Sequence, residues 1–155
     1  MQVMSIEALD TEHVIRGYDC GYGGPLKPFS LANFFQEAAG EHAAKLGVGM
    51  EALFALGRTW MLSRIDIEIE RLPSTGDTVV VRTWPFGTDR IFAMRCMELL
   101  DSKGSRIAGG LYDYFIYDMA MGRPLRPERI LDPALKVDRP LPYPDLSPGL
   151  HEPGL

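Results

Sequence analysis

The stretch IDIEIERLPSTGDTVVVRTWPFGTDR, residues 65–90, decides how the rest of the chain is read. Ile65, Ile67 and Ile69 alternate with Asp66, Glu68 and Glu70. That period of two marks a strand with one buried face. Pro73, Gly76 and Asp77 then interrupt the pattern with turn chemistry. Residues 78–84 return to β-branched and apolar types. The two runs read as a hairpin. Pro85 is expected to end the second run, leaving residues 86–89 as a connection.

Working outward, the first run extends back to Arg58. It is long for one straight strand, so a bulge near Ser63 or Arg64 is expected. Downstream, residues 90–100 and 105–118 are two more β-rich runs, with the turn DSKG between them. Upstream, residues 5–18 read as a first strand. CGYGGPLKPF, residues 20–29, is a Gly/Pro loop. Ser30 is the expected helix N-cap, with Phe29 and Phe34 placed as a hydrophobic staple. Leu31, Phe34, Phe35, Ala38, Ala39 and Leu46 follow with helical spacing and a wide apolar face. Gly47 closes this helix, and residues 48–57 read as a short second helix closed by Gly57. One strand, one long helix and four further strands give an α+β fold: an antiparallel sheet curled around the helix.

The chain has 155 residues, 46% hydrophobic and 24% charged, which suits one globular domain. The net charge of −5, with no basic run, argues against nucleic-acid binding. No apolar segment is long enough to span a bilayer, and the N-terminus lacks signal-peptide character. Cys20 and Cys96 lack CxxC spacing and read as free thiols of a cytoplasmic protein. No His/Cys/Asp set has metal-ligand spacing, and His13 and His151 have no partner pattern. From Arg123 onward the sequence is proline-rich; residues 127–131 suit a turn of helix, and the rest an extended or poorly ordered arm.

These residues carry a resemblance. LANFFQEAAGEHAAKLG followed by TWMLSRIDIEIERLPSTGDTVVVRTWP resembles the N-terminal hotdog domain of the acyl-ACP thioesterases. DRIFAMR and YFIYDMAMGRPLRP continue the likeness. The resemblance implies a single hotdog domain over residues 1–131 and a Pro-rich tail over 132–155. It implies an acyl thioester hydrolase of fatty acid biosynthesis, acting on acyl-ACP or acyl-CoA without a cofactor. Members of that family carry two hotdog domains, with a catalytic Asn-x-His motif in the second. Asn33 is the only asparagine here and no Asn-x-His occurs, so those residues do not carry over. A lone hotdog leaves a sheet edge to be covered. The expected solution is a homodimer or higher homo-oligomer with the acyl site at the interface. The alternative is a non-catalytic acyl-thioester-binding or interaction protein.

Thioester hydrolysis needs a donor for the carbonyl oxygen, an activated water and an apolar channel. Gly23 and Gly24 permit close backbone approach, and amides near residues 31–33, Asn33 included, offer donors at the helix start. Other hotdog thioesterases place a carboxylate on the central helix; the resemblance makes Glu37 the counterpart, or else it is a solvated helix-face residue. Gln36 beside it orients water or the carbonyl, or is a surface amide. Asp19 matches an aspartate of many hotdog thioesterases, or caps a turn. His42 lies in the apolar stripe and reads as a core, interface or substrate-contacting residue. Arg58, Arg64, Arg82, Arg90 and Arg95 read as contacts for a phosphopantetheine or carrier protein, or as solvated strand-edge charges.

Overall fold

The computed structural model describes residues 6–146. β1 (Leu9–Val14) leads through a 3-10 turn (Gly17–Asp19) and the glycine loop into α1 (Pro28–Lys45) and α2 (Met50–Phe54). β2 (Arg58–Ile69), β3 (Thr78–Asp89), β4 (Phe92–Leu100) and β5 (Arg106–Asp118) follow, then a short β6 (Arg123–Leu125) and a 3-10 turn (Pro127–Arg129). All pairings are antiparallel, in the order β1-β3-β4-β5-β2, with β6 against the end of β5. The sheet curls around α1, which is the hotdog arrangement. No helix among the described residues is long and apolar enough to cross a membrane. His151 lies outside the described residues.

The hairpin reading of residues 65–90 needs correction. β2 and β3 are not neighbours: β2 pairs with β5, while β3 lies between β1 and β4. Residues 70–77 are too many for a tight turn between paired strands, and they carry the chain across the mouth of the curl. The true hairpin is β3–β4. Asp89 faces Phe92, so the turn is Arg90-Ile91, and Arg90 takes a left-handed φ of 57°. Pro85 does not end β3. It sits at a register shift between Pro85 and Gly87, beyond the last β1 pairing at Thr83. A proline is tolerated there because no β1 carbonyl waits for its missing N–H. The expected bulge in β2 is present, between Leu62 and Arg64.

α1 begins earlier than the sequence suggests. Lys27 is the N-cap and Pro28 opens the helix, where the lack of an amide costs nothing. Ser30 is therefore inside the first turn and buried, and Phe29 is 76% exposed rather than stapled. The C-terminal end matches expectation. Gly47 has φ 79°, its N–H donates to Ala44 C=O, and Val48 N–H donates to Ala43 C=O. That pair of bonds is the Schellman closure.

The sheet has two packed faces. On the inner face, Leu31, Phe35, Ala38 and Ala39 of α1 meet Val79, Val81, Met97, Leu99, Ala108 and Tyr112. Gly110, on β5, lets Phe35 and the β2 backbone come close. On the outer face, Trp84, Met94, Cys96 and Leu111 are covered by Tyr143 and Leu146, with Val137 and Leu141 alongside. The tail up to residue 146 is thus extended but packed. Its apolar residues close a second core, although its prolines prevent it from forming a strand. Arg106 lies over the Tyr143 ring at 4.3 Å and Arg139 over Trp84 at 4.7 Å. One hydrogen bond, from Val137 N–H to Pro85 C=O at 3.0 Å, ties the tail to β3.

β1 and β2 form the rims. Along β2, Met61, Leu62, Ile65 and Ile69 are exposed, although the isoleucines point to the helix side as their alternation implies. They lie beyond the reach of α1, so the period of the pattern is right and its burial is incomplete.

Candidate active site

The polar groups of the inner face are placed by two matching periods. Tyr112 and Tyr114 are two apart on β5 and point the same way. Tyr112 O–H donates to Ala32 C=O at 2.9 Å, and Tyr114 O–H donates to Gln36 Oε1. Ala32 and Gln36 are four apart on α1. Two residues of strand and four of helix advance about 6–7 Å each, so the two tyrosines pin consecutive turns of α1. Burial pushes both phenols above their ordinary pKa, so they act as donors and not as bases.

One and a half turns after Gln36, His42 meets β4. Arg95 Nη1 donates to His42 Nδ1 at 2.9 Å and to Thr83 Oγ1 at 3.3 Å. Because a guanidinium only donates, Nδ1 must be the bare nitrogen of a neutral imidazole. The other ring nitrogen then donates to the Glu7 backbone, the one contact that favours protonation. Burial first, and the Arg95 charge second, pull His42 down to about 4. Arg95 is 8% exposed; burial pulls it down to about 10, so it stays charged at neutral pH.

Between the second half of α1 and the β3–β4 hairpin lies a cavity of about 120 Å³. Its floor includes Ala39 and Arg95, and its exposed mouth includes Gln36, Gly40 and Thr88. Trp60 and Val48 close one side, joined by a 2.8 Å bond from Trp60 Nε1 to Val48 C=O. Pro85 and Gly87, which flank the β3 register shift, form the opposite wall. The lining is largely apolar and includes no carboxylate or histidine among the described residues.

Of the residues singled out from sequence, Gln36 lines this cavity and His42 anchors its floor through Arg95. Glu37 is exposed on the next helix position, outside the lining. Asn33 is exposed one turn earlier. Asp19, Gly23 and Gly24 belong to a different place. Gly23 and Gly24 line a shallow, open hollow with Tyr22 and Thr75, and Asp19 C=O accepts the Lys27 N–H at the helix start. The donors expected near residues 31–33 shift forward: Leu31 N–H is bonded to Lys27 C=O, and Phe29 and Ser30 hold the first-turn amides. Among the arginines, Arg82 pairs with Asp10 and Glu98 on the outer face, and Arg95 is buried instead of solvated. Tyr114 and the floor role of Arg95 were missed. One signal was available: Arg95 interrupts FAMRCMELL, a run too apolar for a surface charge. Both cysteines are free, Cys96 buried and Cys20 half-buried.

Residues 7–132 match the family model of the acyl-ACP thioesterase N-terminal domain. The chain belongs to the acyl-ACP thioesterase family. It is 31% identical over 103 residues to oleoyl-acyl carrier protein thioesterase 1, chloroplastic, of Arabidopsis thaliana, a match covering 62% of this chain and 28% of the relative. The acyl-ACP thioesterase of Bacteroides thetaiotaomicron superposes with a TM-score of 0.79 at 26% identity, covering 90% of this chain and 57% of that one. A DHNA-CoA thioesterase from Staphylococcus aureus shares the fold at TM-score 0.71 and 18% identity, over 80% of this chain and 83% of that one. This family member thus spans about a quarter of the length of the curated relative and over half of the solved bacterial enzyme.

Proposed function

We propose that this chain holds the acyl group of an acyl thioester, carried on ACP or coenzyme A, while the thioester is hydrolysed. The apolar cavity between α1 and the β3–β4 hairpin, with Gln36 at its mouth, is the observation that carries this reading. Gln36 Oε1 accepts from Tyr114, which leaves the amide nitrogen to donate to the thioester carbonyl. The base comes from outside the cavity. Glu37, exposed beside Gln36, assists the attack of water where a second hotdog unit covers this face, and Asp19, remote from the cavity within one chain, supports it only as that second unit's contribution. That second unit is a further copy of the chain, paired along the exposed apolar rim of β2. Asn33, Gly23 and Gly24 contact the carrier arm. The reaction is placed in the cytoplasm, in fatty acid biosynthesis, and needs no cofactor.

The test is thiol release from acyl-CoA and acyl-ACP substrates of graded length, with wild type and Glu37→Gln compared at known oligomeric state. Turnover that falls at least a hundredfold in Glu37→Gln supports the assignment; full turnover in that variant sinks it. A second reading, acyl binding without turnover, draws on the absence of a carboxylate from the lining. It is favoured if analogues bind saturably and no substrate releases thiol.

A further inference from the structure

Arg95 is out of place in an acyl cavity. A hydrocarbon tail needs no charge, yet Arg95 forms part of the lining. Among the described residues its hydrogen bonds go to His42 and Thr83, both neutral, and no salt bridge joins it to a carboxylate. Leaving a buried charge without a counter-charge is costly, and a structural arginine is normally matched by an acid. The two neutral partners both bind Nη1, which fixes the plane of the guanidinium. They leave the other N–H groups for something else.

We propose that Arg95 makes this cavity a site for a short acyl group that ends in a carboxylate, a dicarboxylic acid monothioester. The proposal rests on the acyl-holding role above and names the class of acyl group. The carboxylate supplies the missing counter-charge to the part of the guanidinium not engaged by His42 and Thr83. The protein has already removed the arginine from water, so the ligand loses only its own hydration on entry. Neutral His42 is essential to this arrangement: protonated, it would offer Arg95 a donor and a like charge. Ala39, Ala43 and Ala93 line the cavity and leave room for methylenes between mouth and floor. At about 120 Å³ the cavity suits a short chain and not a long one.

Two hydrolysis-resistant ligands of equal length decide the matter: the amide analogues of hexanoyl- and adipoyl-pantetheine, with NH in place of the thioester sulfur. Binding to the full chain is measured by titration calorimetry at pH 7.5. The adipoyl analogue is expected to bind about tenfold or more tightly than the hexanoyl one, the worth of one charge-assisted hydrogen bond. Arg95→Met is expected to reverse that order. Should Arg95→Met fail to fold, the wild-type ratio alone decides. Tighter binding of the hexanoyl analogue by wild type overturns the proposal and leaves the acyl-holding role standing. Binding of neither overturns both.

Discussion

The two faces of the sheet are both buried, but by different means. The inner face is packed by a helix whose apolar residues recur every turn, and it keeps a hole with a charge in its floor. The outer face is packed by an irregular tail, with Trp84, Leu111 and Tyr143 in its core and two arginines over aromatic rings. The difference separates a face that keeps a void from one that is filled. A helix can hold side chains at fixed spacing around a void, as α1 does with Gln36 and His42. A proline-rich segment without a repeating face covers a surface and leaves no such regular array.

The strongest way to break this comparison is to damage the inner core. Phe35 is fully buried against Tyr112 in an edge-on contact at 6.3 Å. Phe35→Ala is expected to cost about 3–5 kcal/mol, read from the urea midpoint. A loss below about 1 kcal/mol would mean that the tail, and not the helix, dominates stability.

Proton uptake sharpens the contrast, because the inner face carries His42. This histidine titrates near 6.5 when unfolded and about 4 when folded. Between those values only the unfolded chain takes up the proton. Stability from this source is therefore complete above pH 6.5 and is lost as pH falls toward 4, by up to roughly 3 kcal/mol. Arg95 and Lys45 oppose the charged form, and the Glu7 carbonyl favours it. In His42→Gln the slope of stability between pH 6.5 and 4 is expected to flatten relative to wild type. Equal slopes would show that His42 is charged or exposed in solution.

The finest comparison uses two adjacent glycines of β5. A methyl on Gly109 would approach Pro142 Cβ of the tail to 2.6 Å, while one on Gly110 would meet the Asp66 carbonyl at 3.2 Å and Ile67 at 3.3 Å. The tail can yield; a carbonyl within the β2–β5 pairing cannot. Gly109→Ala is expected to speed proteolytic cleavage within residues 132–146 and to lower stability by about 1 kcal/mol. Gly110→Ala is expected to cost about 1–3 kcal/mol and leave tail cleavage unchanged. Identical behaviour of the two variants would deny that the faces are independent.

Much of the fold was legible. The stripe from Leu31 to Leu46 and the alternation at Ile65, Ile67 and Ile69 are local periods, and local periods survive folding. The β2 bulge was legible for the same reason, since its strand was too long. Strand partners were not, because pairing depends on which rims the crossing segment 70–77 brings together. Pro85 misled because proline reports the loss of a donor without saying whether a neighbour wanted it. Around the cavity, helical spacing singled out Gln36 and His42 on α1, but could not name the residues that face them from β4 and β5. Sequence spacing along α1 cannot reveal that Tyr114 lies opposite Gln36, or Arg95 opposite His42, across separations of 78 and 53 residues.

The bond from Val137 to Pro85 has a consequence for how the tail comes away. A strand leaves a sheet by surrendering a ladder of hydrogen bonds, each supporting the next. Among the described residues this tail offers β3 a single backbone rung, and prolines at 133, 140, 142 and 144 have no amide to give. What holds it is the weight of buried rings and alkyl groups, which is lost piecemeal as each lifts. Detachment is therefore a peeling, graded in extent, and it bears on the very wall, Pro85, that bounds the cavity. Pressure applied from within that cavity and tension applied to the tail meet at one residue.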